Sequence, residues 1–269
     1  MSQHAFATTR FPTPVFNTPV ISSCFGGKNG DELSLDDQGL MRSVETILFA
    51  GTSIELLQKM QQPYVWKIQT REYPYPNDLF IDERFIEKIN FDYKREIKLP
   101  SMALILKTMQ ELEKTRYIWG GNWPHGIDPL PNIYPSKSHF HQLHPLIQDI
   151  WSLRGVDCSG LLYYATNGWT PRNTSSLIEF GKSVDIEGKS ILSILQKVQP
   201  LDLIVWRGHV VCIIDQHTTI ESKSPEGVVK LNAYDRLYEI IQERTPSNHI
   251  DPGGQPTFVI RRWHPDAIV

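Results

Sequence analysis

The sequence predicts an α+β protein of two domains, a small β-barrel followed by a domain in which helices precede strands. Three observations lead to this fold class. The chain has 269 residues, which is long for one compact core. Residues 43–89 contain short β-type runs separated by turn sequences such as QQP and YPYPND. After residue 99, helical patterns come first and β-type runs follow, the order typical of an α+β domain.

The elements follow in chain order. Residues 1–40 are rich in proline, glycine and polar residues and predict an extended lead-in with little helix. Residues 41–98 predict the barrel. Ser101 is placed to cap a helix over MALILKTMQELEKTR, in which apolar residues recur at helical spacing. Residues 122–155 predict a long ordered loop with one or two helical turns near PLIQDIWS.

The second half begins with a predicted short helix, CSGLLYYAT, which Asp157 can cap and Asn167-Gly168 ends. A further helix is predicted through NTSSLIEFGKSV, and a helical turn through SILSILQK. Six β-type runs complete the chain: DLIVWR, HVVCIID, TTIESK, GVVKLN, LYEIIQE and TFVIRRW.

Composition excludes several classes of protein. A net charge of -3 argues against a nucleic-acid binder. No stretch approaches the roughly 18 apolar residues that a membrane span needs. The first residues lack the apolar core of a secretory signal, and three widely spaced cysteines fit a reducing compartment. We therefore expect a cytoplasmic protein.

Two residues suggest cysteine chemistry. Cys158 opens a predicted helix, whose N-terminus stabilises a thiolate, although a free cysteine is also a common small core residue. His209 opens a predicted strand in which alternation places Cys212 on the opposite face, as a core residue. Glu221 follows twelve residues after His209. The two share a face if the connection between the strands has an odd number of residues, and lie on opposite faces after a two-residue turn.

The order of several motifs resembles NlpC-type cell-wall cysteine peptidases, a papain-related bacterial family. The motifs are YIWGG, GVDCSGLLYYAT, TPRNTSSL, QPLDLIVWRGHVVCII and IESKSPEGVV, and they span about residues 100–235. Leu201 replaces a glycine of that pattern, which we interpret as a harmless turn difference. SVETILFAGTSIELL and YVWKIQT more loosely resemble the bacterial SH3-like domain often fused to such peptidases. The resemblance implies an SH3-like domain over residues 41–98 and a papain-like peptidase domain over 99–269.

The resemblance also implies roles for individual residues. Cys158 matches the nucleophile and His209 the general base, while Glu221 stands where the family has a second histidine or another polar residue. Tyr117 and Trp119 belong to the motif near the nucleophile. The Tyr117 hydroxyl can donate to a developing oxyanion, or the ring can be an ordinary core aromatic.

In relatives with an SH3-like domain, the residues that flank the cysteine contact the free amino end of the substrate. Here they are Asp157 and Ser159, and Asp157 can also serve as a helix cap. The implied substrates are peptidoglycan stem peptides, which would be hydrolysed between γ-D-glutamate and the diamino acid without a cofactor. Between Trp-Gly-Gly and Asp157 this sequence has 35 residues, far more than relatives have. We expect the loop that they form to shape the substrate cleft.

Three alternatives remain open at this point. His139, His141 and His144 lie close together, but no cysteine pair or His-Glu-x-x-His pattern accompanies them, so a polar loop is favoured over a metal site. A non-catalytic module that binds cell-wall peptides would also fit the departure at Glu221. The same papain-like core supports amidase or acyl-transfer chemistry. The sequence does not predict the oligomeric state.

Overall fold

The computed structural model describes residues 5–250 and 254–267. They divide into two compact units. The first unit comprises Met1–Ile97 and Ile118–Asp157, and the second comprises Lys98–Tyr117 and Cys158–Val269. The chain therefore passes between the units at three points along its length.

The described strands are β1 Ala5–Thr9, β2 Thr13–Phe16, β3 Val44–Leu48, β4 Ser53–Lys59, β5 Val65–Gln69, β6 Leu79–Asp82, β7 Ile86–Ile89, β8 Asn122–Trp123, β9 Gly155–Val156, β10 Lys182–Ser183, β11 Leu203–Trp206, β12 His209–Ile213, β13 Thr218–Lys223, β14 Gly227–Asn232, β15 Thr245–Pro246 and β16 Thr257–Arg262. The described α-helices are α1 Ile21–Cys24, α2 Met102–Glu111, α3 Leu130–Ile133, α4 Pro145–Trp151, α5 Cys158–Ala165, α6 Thr174–Leu177, α7 Ile191–Leu195 and α8 Ala233–Glu243. The protein is mixed α and β, and its two large sheets are mainly antiparallel.

The first unit is built on a seven-stranded antiparallel sheet in the order β3-β2-β6-β5-β4-β1-β7. The residues predicted as a lead-in thus supply β1 and β2. Ala7 pairs with Ile54, and Pro14 pairs with Ile47. These partners are distant in sequence, so the local composition does not reveal them. The sheet runs from β3 at one end to β7 at the other, and a closed, separate SH3-like barrel is not shown.

The segment predicted as a long loop over residues 122–155 folds within the first unit. It contains α3, α4 and the short β8–β9 ladder. The Asn122 side chain accepts a hydrogen bond from the Ile47 N–H and donates one to the Ile47 carbonyl, both at 2.8 Å. Trp151 is buried, and its indole N–H donates to the Tyr134 carbonyl at 2.7 Å. These buried polar contacts attach the segment to the sheet and to its own aromatic core.

The second unit holds the other large sheet, in the order β10-β16-β11-β12-β13-β14, with β15 parallel to β16. Helix α5 packs on β12 and β13, and α2 packs on α5. The Ser101 hydroxyl accepts from the Leu104 N–H and caps α2, as the sequence predicts. Most of α5 is buried, so its apolar residues anchor the helix on the sheet and hold its first residue in place.

The run LYEIIQE was predicted as a strand, and this was wrong. It lies in helix α8, which Asn232 caps by accepting hydrogen bonds from the N–H groups of Tyr234 and Asp235. Ala233, Leu237 and Ile240 are the buried residues of α8, and their spacing of three to four residues is helical. A short apolar run fits either period, and the Asn232 cap was the signal that decides between them.

Leu201 adopts a left-handed backbone conformation with φ of +69°. Its N–H donates to the Ile213 carbonyl at 2.9 Å, and its own carbonyl accepts from the Trp263 indole at 2.8 Å. These bonds hold a non-glycine residue in a region that favours glycine. The turn is therefore strained, and the sequence interpretation of a harmless difference needs this correction.

Among the residues described, none of the helices has the length and hydropathy needed to cross a bilayer. Nor do these residues contain a group of three or more side chains arranged to hold a metal ion. His139, His141 and His144 are exposed, and the His144 ring accepts from the Leu146 N–H at 3.3 Å as the cap of α4. The three histidines are thus surface residues of the 122–155 segment in the first unit.

Candidate active site

Cys158 is the first residue of helix α5 and is largely buried. Its Sγ lies 3.8 Å from the carbonyl oxygen of Gly208. Gly208 has φ of +97° and immediately precedes His209, and its N–H donates to the Thr174 hydroxyl at 3.3 Å. The turn that leads into β12 is therefore fixed next to the thiol. The thiol of Cys158 thus lies beside the residue that precedes the predicted base, His209.

His209 and Glu221 share one face of the sheet. Cys212 pairs with Ile220 and Ile213 with Thr219, so five residues separate the last paired positions and the odd-number condition is met. The Nε2 atom of His209 lies 2.5 Å from Oε2 of Glu221. The contact that the sequence left open is thus present in the structure.

The Glu221 contact determines the tautomer of His209. An ionised carboxylate only accepts hydrogen bonds, so Nε2 carries the proton that faces Glu221. Nδ1 of the neutral ring then holds the lone pair, and it makes no hydrogen bond to any of the residues that the structure describes. The ring is also packed, since the Trp206 centroid lies 5.0 Å from it and the Arg244 guanidinium lies 4.8 Å from Trp206. The imidazole is therefore held with Nδ1 available as a base.

Arg236 on α8 is a site residue that sequence reasoning missed. Its Nε donates to Oε1 of Glu221 at 2.6 Å and its Nη2 donates to Oε2 at 3.0 Å. Its Nη1 donates to the exposed Glu239 at 2.9 Å. The run that follows Arg236, residues 237–243, was predicted as a strand, so sequence reasoning assigned Arg236 no helical position beside the sheet. The helix assignment follows from the Asn232 cap, but the contact itself needs the tertiary structure.

Glu221 is fully buried as a side chain, and its two partners favour the ionised carboxylate. Burial opposes the charge, but the hydrogen bonds and charges of His209 and Arg236 outweigh it and lower the pKa of the Glu221 carboxyl. Burial also disfavours the Arg236 charge, and Glu221 more than compensates, so the pKa of Arg236 is raised. The pair forms a buried, charge-balanced unit beside the imidazole.

The other two cysteines differ from Cys158. Cys212 is buried on the opposite face of β12 from His209, as the alternation predicts. Burial, with smaller contributions from the Glu221 and Cys158 charges, raises the pKa of Cys212 to about 12. Burial likewise raises the pKa of Cys24 in the first unit. Both thiols stay protonated near neutral pH, so neither is suited to be a nucleophile.

The remaining predicted site residues are distributed over both units. Tyr117 is half-buried in the second unit. Ser159 is buried there as well, and its hydroxyl accepts from Nη1 of Arg172 at 2.9 Å. Trp119 belongs to the first unit, where the Arg42 guanidinium lies 4.0 Å above its ring. Asp157, also in the first unit, is buried, and its N–H donates to the Gly121 carbonyl at 2.8 Å. Their predicted roles stay predictions.

The chain matches no protein-family model and no curated protein sequence. Several solved structures of NlpC/P60 proteins are similar to it. A NlpC/P60 family protein from Bacillus cereus is 16% identical, with a TM-score of 0.37, over 98% of this chain and 65% of that one. NlpC1 from Trichomonas vaginalis is 13% identical, with a TM-score of 0.35, over 97% of this chain and 69% of that one.

RipD from Mycobacterium tuberculosis, a non-catalytic NlpC/p60 domain protein adapted to peptidoglycan binding, is 14% identical with a TM-score of 0.35. That likeness covers 60% of this chain and 95% of RipD. This chain spans less than two thirds of the Bacillus cereus protein, at 65%. At these identities and TM-scores, the likenesses do not decide the fold or the function of this chain.

Proposed function

We propose that this protein is a cysteine peptidase that hydrolyses peptidoglycan stem peptides between γ-D-glutamate and the diamino acid. One observation carries the proposal. In the second unit, the Cys158 thiol lies beside the residue that precedes His209, and Glu221 holds the His209 ring with Nδ1 as its basic nitrogen. The NlpC-like motifs around Cys158 and His209 supply the substrate class.

The proposed reaction has two halves. Nδ1 of His209 accepts the Cys158 proton, and the thiolate attacks the amide carbon of the substrate. The imidazolium then returns the proton to the leaving amine, and a thioester remains on Cys158. Water opens the thioester as His209 removes its proton, which releases the acid and restores the thiol. Glu221 holds the ring in the same orientation throughout and stabilises the imidazolium.

The other predicted residues enter the proposal as substrate contacts. The Cys158 backbone N–H and the Tyr117 hydroxyl donate to the oxyanion, and Trp119 contributes to substrate binding. Asp157 and Ser159 bind the free amino end of a stem peptide, where a charged amine makes a charge-assisted bond to the Asp157 carboxylate. The proposal includes a cytoplasmic location, because three widely spaced cysteines fit a reducing compartment.

The experiment compares three substrates: free L-Ala-γ-D-Glu-diamino acid, its N-acetylated form, and intact sacculi. We expect the free peptide to be cut into L-Ala-γ-D-Glu and the diamino acid. Acetylation removes the charge that Asp157 would bind, so kcat/KM should fall at least about tenfold, roughly 1.4 kcal/mol. Mass spectrometry identifies the bond that is cut.

The Cys158→Ala protein serves as the matched control and should release no product. If wild type binds the peptides without cutting them, the protein is a non-catalytic binder and the peptidase proposal is wrong. If a different amide or an acyl acceptor is used, the chemistry is amidase or acyl transfer on the same site. Equal cleavage of all three substrates would leave Asp157 without a role in binding the amine.

A further inference from the structure

Arg236 holds the Glu221 carboxylate by both of its oxygens. The Nε and Nη2 atoms form the side of a planar fork, and their distances of 2.6 and 3.0 Å to Glu221 are those of a charge-assisted, bidentate pair. The Oε2 atom of Glu221 accepts from Arg236 and from His209 at the same time. One carboxylate oxygen is thus shared between a permanent cation and the imidazole.

This sharing has two physical consequences. The fork prevents rotation of the carboxylate, so the position of Oε2, and through it the orientation of the His209 ring, depends on Arg236. The guanidinium charge also offsets the carboxylate charge. A carboxylate that is paired with a guanidinium stabilises an imidazolium less strongly than an unpaired buried carboxylate does. Without Arg236, the positive charge that balances the Glu221 carboxylate would have to come from a protonated His209 ring.

We propose that Arg236 is a positioning residue that orients Glu221 and, by sharing its charge, limits how strongly Glu221 holds a proton on His209. The inference rests on the proposed cysteine chemistry but concerns the base strength of His209, which can be measured without any substrate. Arg236 thereby keeps the ring able to accept the Cys158 proton and to release it again. It acts through Glu221 and touches no reacting atom.

Other charged groups around His209 must be considered in such a test. Glu221 on β13 contacts the ring, and Arg236 on α8 acts on it through Glu221. Cys158 lies beside Gly208, and Arg244 lies above Trp206. Glu239 pairs with Arg236, Lys223 is two residues after Glu221 on β13, and Cys212 is on the opposite face of β12. Lys223 pairs with Glu226, and Arg244 pairs with Glu243. Among the residues that the structure describes, Glu221 is the carboxylate that contacts the ring directly. The Glu221–Arg236 pair is therefore the charged unit that bonds to the His209 ring.

The first experiment follows the titration of His209 by NMR in the full-length Cys158→Ala protein, in which no thiolate interferes. The resonance is assigned by its loss in a His209→Asn variant. Arg236→Gln should raise the pH at which His209 takes up its proton, by on the order of one pH unit. Glu221→Gln should shift this midpoint in the opposite direction. The opposite signs distinguish a shared charge from a general loosening of the site.

Arg262→Gln is the matched control. Arg262 donates to both oxygens of the buried Asp202 in the same unit, at 2.9 and 2.7 Å, and no histidine in the described part of the chain bonds to this pair. Its loss should destabilise the fold comparably and leave the His209 midpoint in place. An unchanged or lowered midpoint in Arg236→Gln would overturn the proposal, even if the protein proves to be a peptidase.

Arg236→Lys keeps the inference testable if Arg236→Gln does not fold. Lysine retains the charge but loses the fork, so the His209 midpoint should stay within a few tenths of a pH unit of the parent protein. With the stem peptide as substrate and Cys158 present, kcat should fall about 10-fold with little change in KM, because the ring is less well oriented. A normal kcat in Arg236→Lys would show that the fork has no orienting role. Absence of hydrolysis in wild type, with the midpoint shifts as expected, would refute the proposed function alone.

Discussion

Each of the two units buries a carboxylate that accepts two hydrogen bonds from an arginine side chain. The two sites differ in the side chain that makes the third contact with the carboxylate. In the first unit, Asp82 is buried and accepts from Nε and Nη2 of Arg84 at 3.0 and 2.6 Å. The Tyr134 hydroxyl completes that site at 2.5 Å. In the second unit, Glu221 is held by Arg236 in the same manner, but its third partner is His209. A tyrosine occupies one site and an imidazole occupies the other.

The two sites differ in whether the third partner can exchange a proton near neutral pH. Burial and the Asp82 charge raise the pKa of Tyr134, so its hydroxyl keeps its proton at every working pH. Asp82 also caps a local turn by accepting from the Arg84 N–H at 2.9 Å. An imidazole exchanges protons near neutral pH. Glu221 therefore contacts a group that can exchange a proton, whereas Asp82 contacts a hydroxyl that keeps its proton.

The largest expected effect concerns the thiols of the two units. Cys158→Ala should lower peptide hydrolysis by at least about 1,000-fold, because it removes the nucleophile. Cys24→Ala in the first unit and Cys212→Ala in the second should retain most of the activity, since both thiols are buried and protonated. Turnover of the three variants is measured side by side. An active Cys158→Ala protein would rule out the proposed mechanism.

The next effect compares the two carboxylates. Glu221→Gln should lower kcat by about 10- to 1,000-fold, less than the roughly 10⁴-fold loss in a serine protease, because a thiol is the better nucleophile. Asp82→Asn should leave kcat close to that of wild type and lower the unfolding temperature instead. Steady-state kinetics and thermal melts of both variants test this. A folded Glu221→Gln enzyme with unchanged kinetics would make Glu221 structural, like Asp82.

A smaller effect is expected at the aromatic partner of Asp82. Tyr134→Phe removes one buried hydroxyl donor and should cost about 1–3 kcal/mol of unfolding free energy, with no change in kcat. Denaturant unfolding, monitored alongside the peptide assay, measures both quantities. A loss of activity in a stable Tyr134→Phe protein would contradict the structural role assigned to this network.

The smallest effect is a dependence of stability on pH. The pKa of Glu221 is lower in the folded protein than its unfolded value of about 4.3, so its ionic contacts add stability above that pH. This contribution is lost as the pH falls through the folded-state value. The difference in unfolding free energy between wild type and Glu221→Gln should therefore be constant between about pH 6 and 7. It should become smaller as the pH is lowered below that range. A difference that grows on acidification would mean that Glu221 is protonated in the folded state.

Local sequence signals predicted much of the second unit. The Ser101 cap and apolar spacing indicate α2, and the position of Cys158 at the start of α5 follows from the same kind of signal. Strand alternation placed Cys212 away from His209. Local signals misled at residues 237–243, where a short apolar run fits a strand as well as a helix. Each of these interpretations depends on neighbours within a few residues.

By itself, then, the sequence determined the mixed α and β composition, the helix that begins at Cys158 and the strand that begins at His209. Only the tertiary structure decided that β1 and β2 join the first sheet, that Glu221 reaches His209, and that Arg236 reaches Glu221. Capping and periodicity are properties of neighbouring residues, whereas strand register and a buried ion pair join residues that the chain keeps apart. Those long-range pairings form only when the whole sheet and helix α8 are assembled, and the proposed chemistry depends on them.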